Sequence, residues 1–383
     1  MGGALGGLFN ALLAPIIFRT IIEYPLMVVV LCLLRPGKER VDKWDFAVPP
    51  IIFVLLSATL WAIKRNHAEW NVFLIPFILA LGVAYFFVER RVRFALAMLS
   101  VLVAGALFSA EPFRTIHVER NFFGVLRVMT DPAQSLHLLM HGTTIHGRQF
   151  IDPALRCQPL GYYHPSGPFG SIASTFKEQS GPRIAVVGLG TGATAAYAAP
   201  GQEWNFYEID PAVVKIARDP AFFSYVEGCS QSPIKYILGD GRLRLKEAPD
   251  SYYFLIALDA FSSDAIPLHL LTREAVGLYL SKLAKGGILA FHITNRHVDL
   301  SPALGSIARD YGLTGLIMQD VNITAEEAQA GKDTSVWIVM ARQPEDLSRL
   351  AADSRWQKLT APEDFPVWTD DFSNIFSVLW RRQ

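Results

Sequence analysis

Cysteine is scarce in this chain, with three in 383 residues. Cys32 lies in an apolar run, and Cys157 and Cys229 stand alone, with no CxxC or Cys/His cluster around them. Neither a zinc site nor a disulfide framework is expected from that pattern, and the site-residue expectation for metal is none. Charge is also low, at 18% of residues, and Lys+Arg equals Asp+Glu at 35 each. A neutral chain without a basic stripe gives no footprint for nucleic acid, so no nucleic-acid partner is expected. No basic segment precedes the first apolar run, so a cleaved signal peptide is not expected either.

What is abundant is apolar side chain, 51% of the residues, and it is unevenly spread. Residues 1–110 are nearly all apolar between short charged loops, whereas 111–383 have an ordinary globular mix. Four apolar runs stand out, at roughly residues 3–34, 47–63, 72–88 and 92–109. A bilayer span needs about 17–25 apolar residues, so the last three runs read as one span each. The first is too long for one straight helix and carries Asn10, Pro15, Arg19 and Glu23-Tyr24-Pro25. It reads either as one kinked helix or as a short helix followed by a span. Cations crowd the first and third loops, where Arg35, Lys38, Arg40 and Lys43, then Arg90, Arg91 and Arg93, are found. The positive-inside rule puts those loops in the cytoplasm and the C-terminal half outside. Glu23 is either a functional carboxylate or, more simply, an interfacial residue at a kink.

The second half alternates short β-type runs with helical ones. Strands are expected near residues 184–188, 205–209, 234–239, 253–260, 287–294, 315–319 and 335–341, and helices at 272–284 and 302–311. That alternation predicts an α/β Rossmann-like domain with a mainly parallel sheet covered on both faces. Ahead of it, residues 115–149 hold alternating runs such as "GVLRVMT" and "SLHLLMHG", which read as a small β-hairpin subdomain. The expected domains are 1–110 transmembrane helices, 111–182 a β-rich lid or linker, and 183–383 the Rossmann-like domain.

In open α/β sheets ligands bind outside the carboxyl ends of the strands. The first strand ends in Gly188-Leu189-Gly190-Thr191-Gly192, where glycines admit a ligand to the backbone. The second ends in Glu208-Ile209-Asp210, with an acid about 20 residues on, suited to ribose hydroxyls. Asp210, before Pro211, reads as a helix cap. The third ends in Gly239-Asp240-Gly241, where Asp240 suits an exocyclic amine. The fourth ends in Asp259, followed by Ala260-Phe261-Ser262-Ser263-Asp264. Four successive strand ends with polar or glycine-rich elements read together as one ligand crevice. His137, His141 and His146 share the hairpin region, but with no acidic or Cys partner nearby they do not read as a metal site. The run "PSGPFGS" at 165–171 reads as a gate or as a plain loop.

These pieces, "GLGTG", "YEID", "GDGR" and "LDAFSSDAIP", resemble the spermidine synthase family, aminopropyltransferases built on the class I methyltransferase fold. The resemblance covers roughly residues 120–374 and is nearer to the membrane-fused bacterial type. "HGTTIHGRQ" resembles the family's strand pair ending in Gln, here Gln149, and "YYH" its Tyr-His motif. The resemblance implies that Asp259 is the catalytic acid/base and Glu208 holds the donor's ribose. It implies that Asp240, with Gly241, holds adenine, and that Gly188, Gly190, Thr191 and Gly192 meet the donor's tail. Gln149, Tyr163, His164 and Asp264 would line the donor or acceptor pocket. The implied donor is decarboxylated S-adenosylmethionine and the implied partner an amine or polyamine. Two positions depart from the family: Thr191 replaces an acid in the glycine loop, and Pro165 replaces a Glu after Tyr-His. Both losses weaken the pull on a cationic tail, so S-adenosylmethionine itself stays open as the donor. A methyltransferase acting on a lipophilic substrate and a non-catalytic polyamine- or nucleoside-binding membrane protein are the alternatives. The expected location is the bacterial inner membrane, with the bilayer as a partner. The soluble part is expected on the cytoplasmic face, where such donors are made, against the loop charges. A homodimer is left open.

Overall fold

The computed structural model describes residues 2–36, 41–66, 70–108, 113–133, 135–179, 181–261, 266–295 and 297–379. The chain divides into two compact units. The first comprises Met1–Arg114 with Arg120–Val125, and the second Thr115–Glu119 with Leu126–Gln383.

The first unit is helical. Its helices are Gly2–Ile17, Glu23–Leu34, Trp44–Arg65, Trp70–Tyr85 and Arg91–Leu107. The long apolar run at 3–34 is thus broken at 18–22 into two helices, as the two-piece reading expects, but the second, Glu23–Leu34, has 12 residues and is shorter than the span that reading placed there. Ile52, Leu56 and Leu60 of the third helix pack with Ala97, Val101 and Ala104 of the fifth. Many large apolar side chains face outward instead, Ile78 at 65% and Phe86 at 85% exposure among them. Among the described residues, one helix, Trp44–Arg65, is long and apolar enough to cross a membrane. The other apolar runs form shorter helices, of 17 residues at Arg91–Leu107, where the sequence reading expects a span each. Glu23 is buried and accepts from Arg120 at 2.5 and 3.0 Å. The carboxylate is therefore held in an ion pair with Arg120, which neither reading of the sequence named. Asp45 is buried likewise and pairs with Arg93 at 2.9 Å.

Two sheets follow the helices in sequence. Strands β1 (Arg114–Asn121), β2 (Gly124–Thr130), β3 (Leu136–His141) and β4 (Thr144–Phe150) form an antiparallel meander in sequence order. It is four strands rather than a single hairpin. The larger sheet is built from β5 (Arg183–Val187), β6 (Glu203–Glu208), β7 (Ile234–Leu238), β8 (Tyr253–Leu258), β9 (Leu283–His292), β10 (Thr314–Asp320), β11 (Ser335–Ala341) and β12 (Gln357–Lys358). Their spatial order is β12-β10-β11-β9-β8-β5-β6-β7. Strands β5 to β9 run parallel, while β10, β11 and β12 are antiparallel additions at one edge. The chain order reverses at β5, between β6 and β8, the kind of switch point at which open α/β sheets bind ligands.

Period-two alternation divides each central strand between two cores. Leu255 and Ala257 of β8 join one core with Phe169, Trp204 and Trp337. Ile256 and Leu258 join the other with Phe291, Ile338 and Tyr279. The same count sends Asp259 and His292, the residues just past Leu258 and Phe291, toward the face of Trp337.

Cys157 and Cys229, 72 residues apart, form a disulfide. This corrects the expectation of unpaired cysteines. Spacing carries no sign of the bond, because only the tertiary fold brings the segment after β4 beside the turn at Tyr225–Cys229. The 165–171 segment is not a free gate either. It leads into helix Pro168–Ser174, whose Phe169 is fully buried.

Candidate functional site

The glycine loop is shaped by its neighbours. Gly188 adopts φ of 101°, and a Cβ there would lie 2.3 Å from the carbonyl oxygen of Asp259. Only glycine lets the ends of β5 and β8 approach that closely. A Cβ on Gly190 would meet the His146 carbonyl at 2.6 Å, and one on Gly192 would meet Val226. Gly241 is packed on Val187 in the same manner. Thr191 is buried, and its hydroxyl oxygen lies where a Cβ on Gly147 would clash. Among the described residues that hydroxyl has no hydrogen-bond partner.

Glu208 reaches from the end of β6 into this loop. Its carboxylate accepts from the backbone N–H of Leu189 and of Asp210, both at 2.9 Å. Burial pushes its pKa up to about 6, the two N–H donors pull against that, and the Asp210 carboxylate adds to the rise. Asp210 itself caps the helix Pro211–Arg218, accepting from Ala212 N–H at 2.8 Å, as its place before Pro211 predicts. Asp240 likewise caps Gly241–Lys246, through Leu243 N–H at 2.9 Å. Its other oxygen lies 3.0 Å from His269 Nε2. Asp240, Arg242, Leu243, Lys246, His269 and Leu278 line a cavity of about 440 Å³.

Asp259 follows β8, and both of its oxygens are engaged. Tyr163 donates its hydroxyl to Oδ2 at 2.7 Å, and His292 Nδ1 lies 2.6 Å from Oδ1. Burial and the adjacent Asp259 charge push the Tyr163 phenol well above its ordinary pKa, which keeps it a donor. His292 ends β9, and its ring stacks on Trp337, its cross-strand partner, at 4.7 Å and 5°. Phe261 closes on the same ring edge-on at 5.0 Å.

The remaining expected site residues are placed differently. Gln149 is buried and uses its amide on the protein, donating to Arg156 O and Ser224 Oγ and accepting from Ser224 N–H. His164 bonds Ser166, and burial followed by the Lys332 charge lowers its pKa. Asp264 lies outside the described residues. Near the C-terminus Asp370, which is not among the expected site residues, forms a two-pronged pair with Arg242 at 2.7 Å in each arm. His137 donates toward Phe222 O. Among the described residues no cluster of three metal-ligating side chains forms.

Reading the strand ends stopped at the fourth strand and therefore missed His292. The same rule applied to the fifth, "ILAFHIT", singles it out.

Strand order, with the glycine loop after β5 and the acids that follow β6, β7 and β8, defines a Rossmann-like sheet. No family model matches the chain. A segment of 112 residues is 33% identical to the polyamine aminopropyltransferase of Vibrio vulnificus (strain CMCP6). It covers 28% of this chain and 36% of that protein, so the match spans about a third of the relative's length. The similarity is therefore to part of that protein only. Among solved structures, a probable spermidine synthase from Corynebacterium glutamicum is similar at TM-score 0.49 and 16% identity, over 68% of this chain and 97% of that one. The spermidine synthase of Thermotoga maritima is similar at 0.42 and 10%, over 67% and 82%.

Proposed function

We propose that the protein is a membrane-anchored, spermidine synthase-like transferase. It moves an aminopropyl group from decarboxylated S-adenosylmethionine to an amine and releases methylthioadenosine. The observation that carries this reading is Asp259, nearly buried beside the glycine loop, with Tyr163 on one carboxylate oxygen and His292 on the other. In the reaction the amine nitrogen bonds to the carbon next to sulfur. The carbon–sulfur bond breaks, its electron pair returns to sulfur, and a neutral thioether leaves. The amine has a pKa of about 10 in solution and arrives protonated. Asp259 binds that ammonium and takes its proton. Glu208 accepts from the ribose hydroxyls in place of the backbone groups it now holds, and Asp240 meets the adenine amine.

A second reading, S-adenosylmethionine-dependent methyl transfer, is favoured by Thr191. A neutral hydroxyl, buried and unpartnered among the described residues, tolerates a donor carboxylate where an acid would repel it. A non-catalytic binder of polyamine or nucleoside is the third. Mass spectrometry of purified protein given each sulfonium donor with a panel of amines and lipids separates them. Methylthioadenosine marks aminopropyl transfer, S-adenosylhomocysteine marks methyl transfer, and bound ligand without turnover marks the binder.

A further inference from the structure

Beyond Asp259 the hydrogen bonding continues inward. The N–H of Val336 donates to Thr294 Oγ1 at 2.8 Å, so that oxygen already acts as an acceptor. Thr294 Oγ1 lies 2.7 Å from His292 Nε2. His292 Nδ1 then lies 2.6 Å from Asp259 Oδ1. The Asp259 and His292 side chains are 6% and 3% exposed, and the ring is held flat against the fully buried Trp337.

We propose that His292 is the positioning residue for Asp259. It acts as a neutral imidazole in the Nδ1–H tautomer, and Thr294 imposes that tautomer by donating its hydroxyl proton to Nε2. This rests on the aminopropyl-transfer reading and deepens it. A buried carboxylate must be hydrogen-bonded to remain an anion. A Lys or Arg would satisfy it but would also neutralise the charge that has to attract an ammonium. Two neutral donors, Tyr163 on one oxygen and His292 on the other, stabilise the anion and leave its full charge for the substrate. They also fix the carboxylate plane, so the unused lone pairs point one way. The acceptor class this geometry selects is a cationic amine rather than a neutral alcohol or a carbanion precursor. Trp337 keeps the ring from rotating, and the Thr294 hydroxyl keeps the proton on the nitrogen that faces Asp259.

Two measurements on the full chain test this. In the first, the protein is labelled with 15N-histidine and the His292 signal is identified by its loss in His292→Asn. The expected ring carries its proton on Nδ1, and that signal moves in Asp259→Asn. A ring protonated on Nε2 alone overturns the proposal, whatever the activity. In the second, methylthioadenosine release is followed against amine concentration in His292→Asn and His292→Phe. Asn places an amide N–H where Nδ1 was, whereas Phe keeps the ring and the Trp337 contact without a donor. The expected loss in kcat is about 100-fold for Phe and under about 10-fold for Asn, with unchanged methylthioadenosine affinity in both. Equal losses, or none in Phe, overturn it. Should the parent protein release no methylthioadenosine with any amine, the aminopropyl reading fails, and the tautomer measurement still decides the role of His292.

Discussion

Asp259 is the residue on which the proposed chemistry turns. Asp259→Asn keeps the size and part of the hydrogen bonding but cannot take a proton, so turnover is expected to fall about 100-fold or more. The melting temperature and nucleoside binding should hold. Methylthioadenosine release with matched donor and amine measures this, and full activity in the variant rules out Asp259 as the base. Glu208 yields a second expectation with a pH sign. Its folded pKa, about 6, lies above the ordinary carboxyl value. Stability from this group is therefore fully present below about 4.5 and is lost as pH rises through about 6, a cost of roughly 2 kcal/mol at neutral pH. Ribose hydroxyls favour the ionised form, so methylthioadenosine affinity should weaken as pH falls through about 6. Glu208→Ala should cost about 1–3 kcal/mol of binding and abolish that pH dependence, both readable by calorimetry. Thr191→Asp should shift preference toward the decarboxylated donor, because a carboxylate pairs with its ammonium and repels a donor carboxylate. Competition binding of the two donors reads the ratio, and an unchanged ratio removes this loop from the donor tail.

Elements meet at the site because two strand ends share one backbone contact. The Gly188 position faces the Asp259 carbonyl, which is main chain and cannot swing away. Gly188→Ala adds both a clash and a side chain at positive φ, and should cost about 1–3 kcal/mol or more. A lowered melting temperature with loss of methylthioadenosine binding is expected, whereas a silent substitution would mean that the loop sits elsewhere. The strands themselves were legible from the residues. The run 335–341 is β11 as expected, 184–188 is displaced from β5 by one residue, and 234–239 overruns β7 by one. Apolar runs buried on both faces leave little choice of structure. The antiparallel edge of β10, β11 and β12 was not legible, since strand direction depends on connections that composition does not show. His292 illustrates the same limit. Its place at a strand end can be counted, but its partners Tyr163, Asp259 and Trp337 come from three other segments.

For the whole molecule the disulfide carries the main expectation. Closing a loop with a 72-residue separation stabilises by roughly 4 kcal/mol in the chain-entropy view. Reduction of the purified protein should lower its melting temperature by several degrees, and Cys157→Ala with Cys229→Ala should match the reduced form. Such bonds persist in oxidising compartments, so the state of these two cysteines reports the compartment their unit faces. Thiol labelling in intact cells should find both cysteines blocked. Free thiols would instead support the cytoplasmic face that the donor's source suggests. The residues alone determined the split into an apolar and a globular half, the α/β class and the acid-tipped strand ends, because hydrophobic period and glycine placement are local properties. The Cys157–Cys229 bond, the Glu23–Arg120 pair and the clamp on Asp259 were decided only by tertiary structure. Each joins groups tens of residues apart, and such contacts exist only once the chain has folded around them.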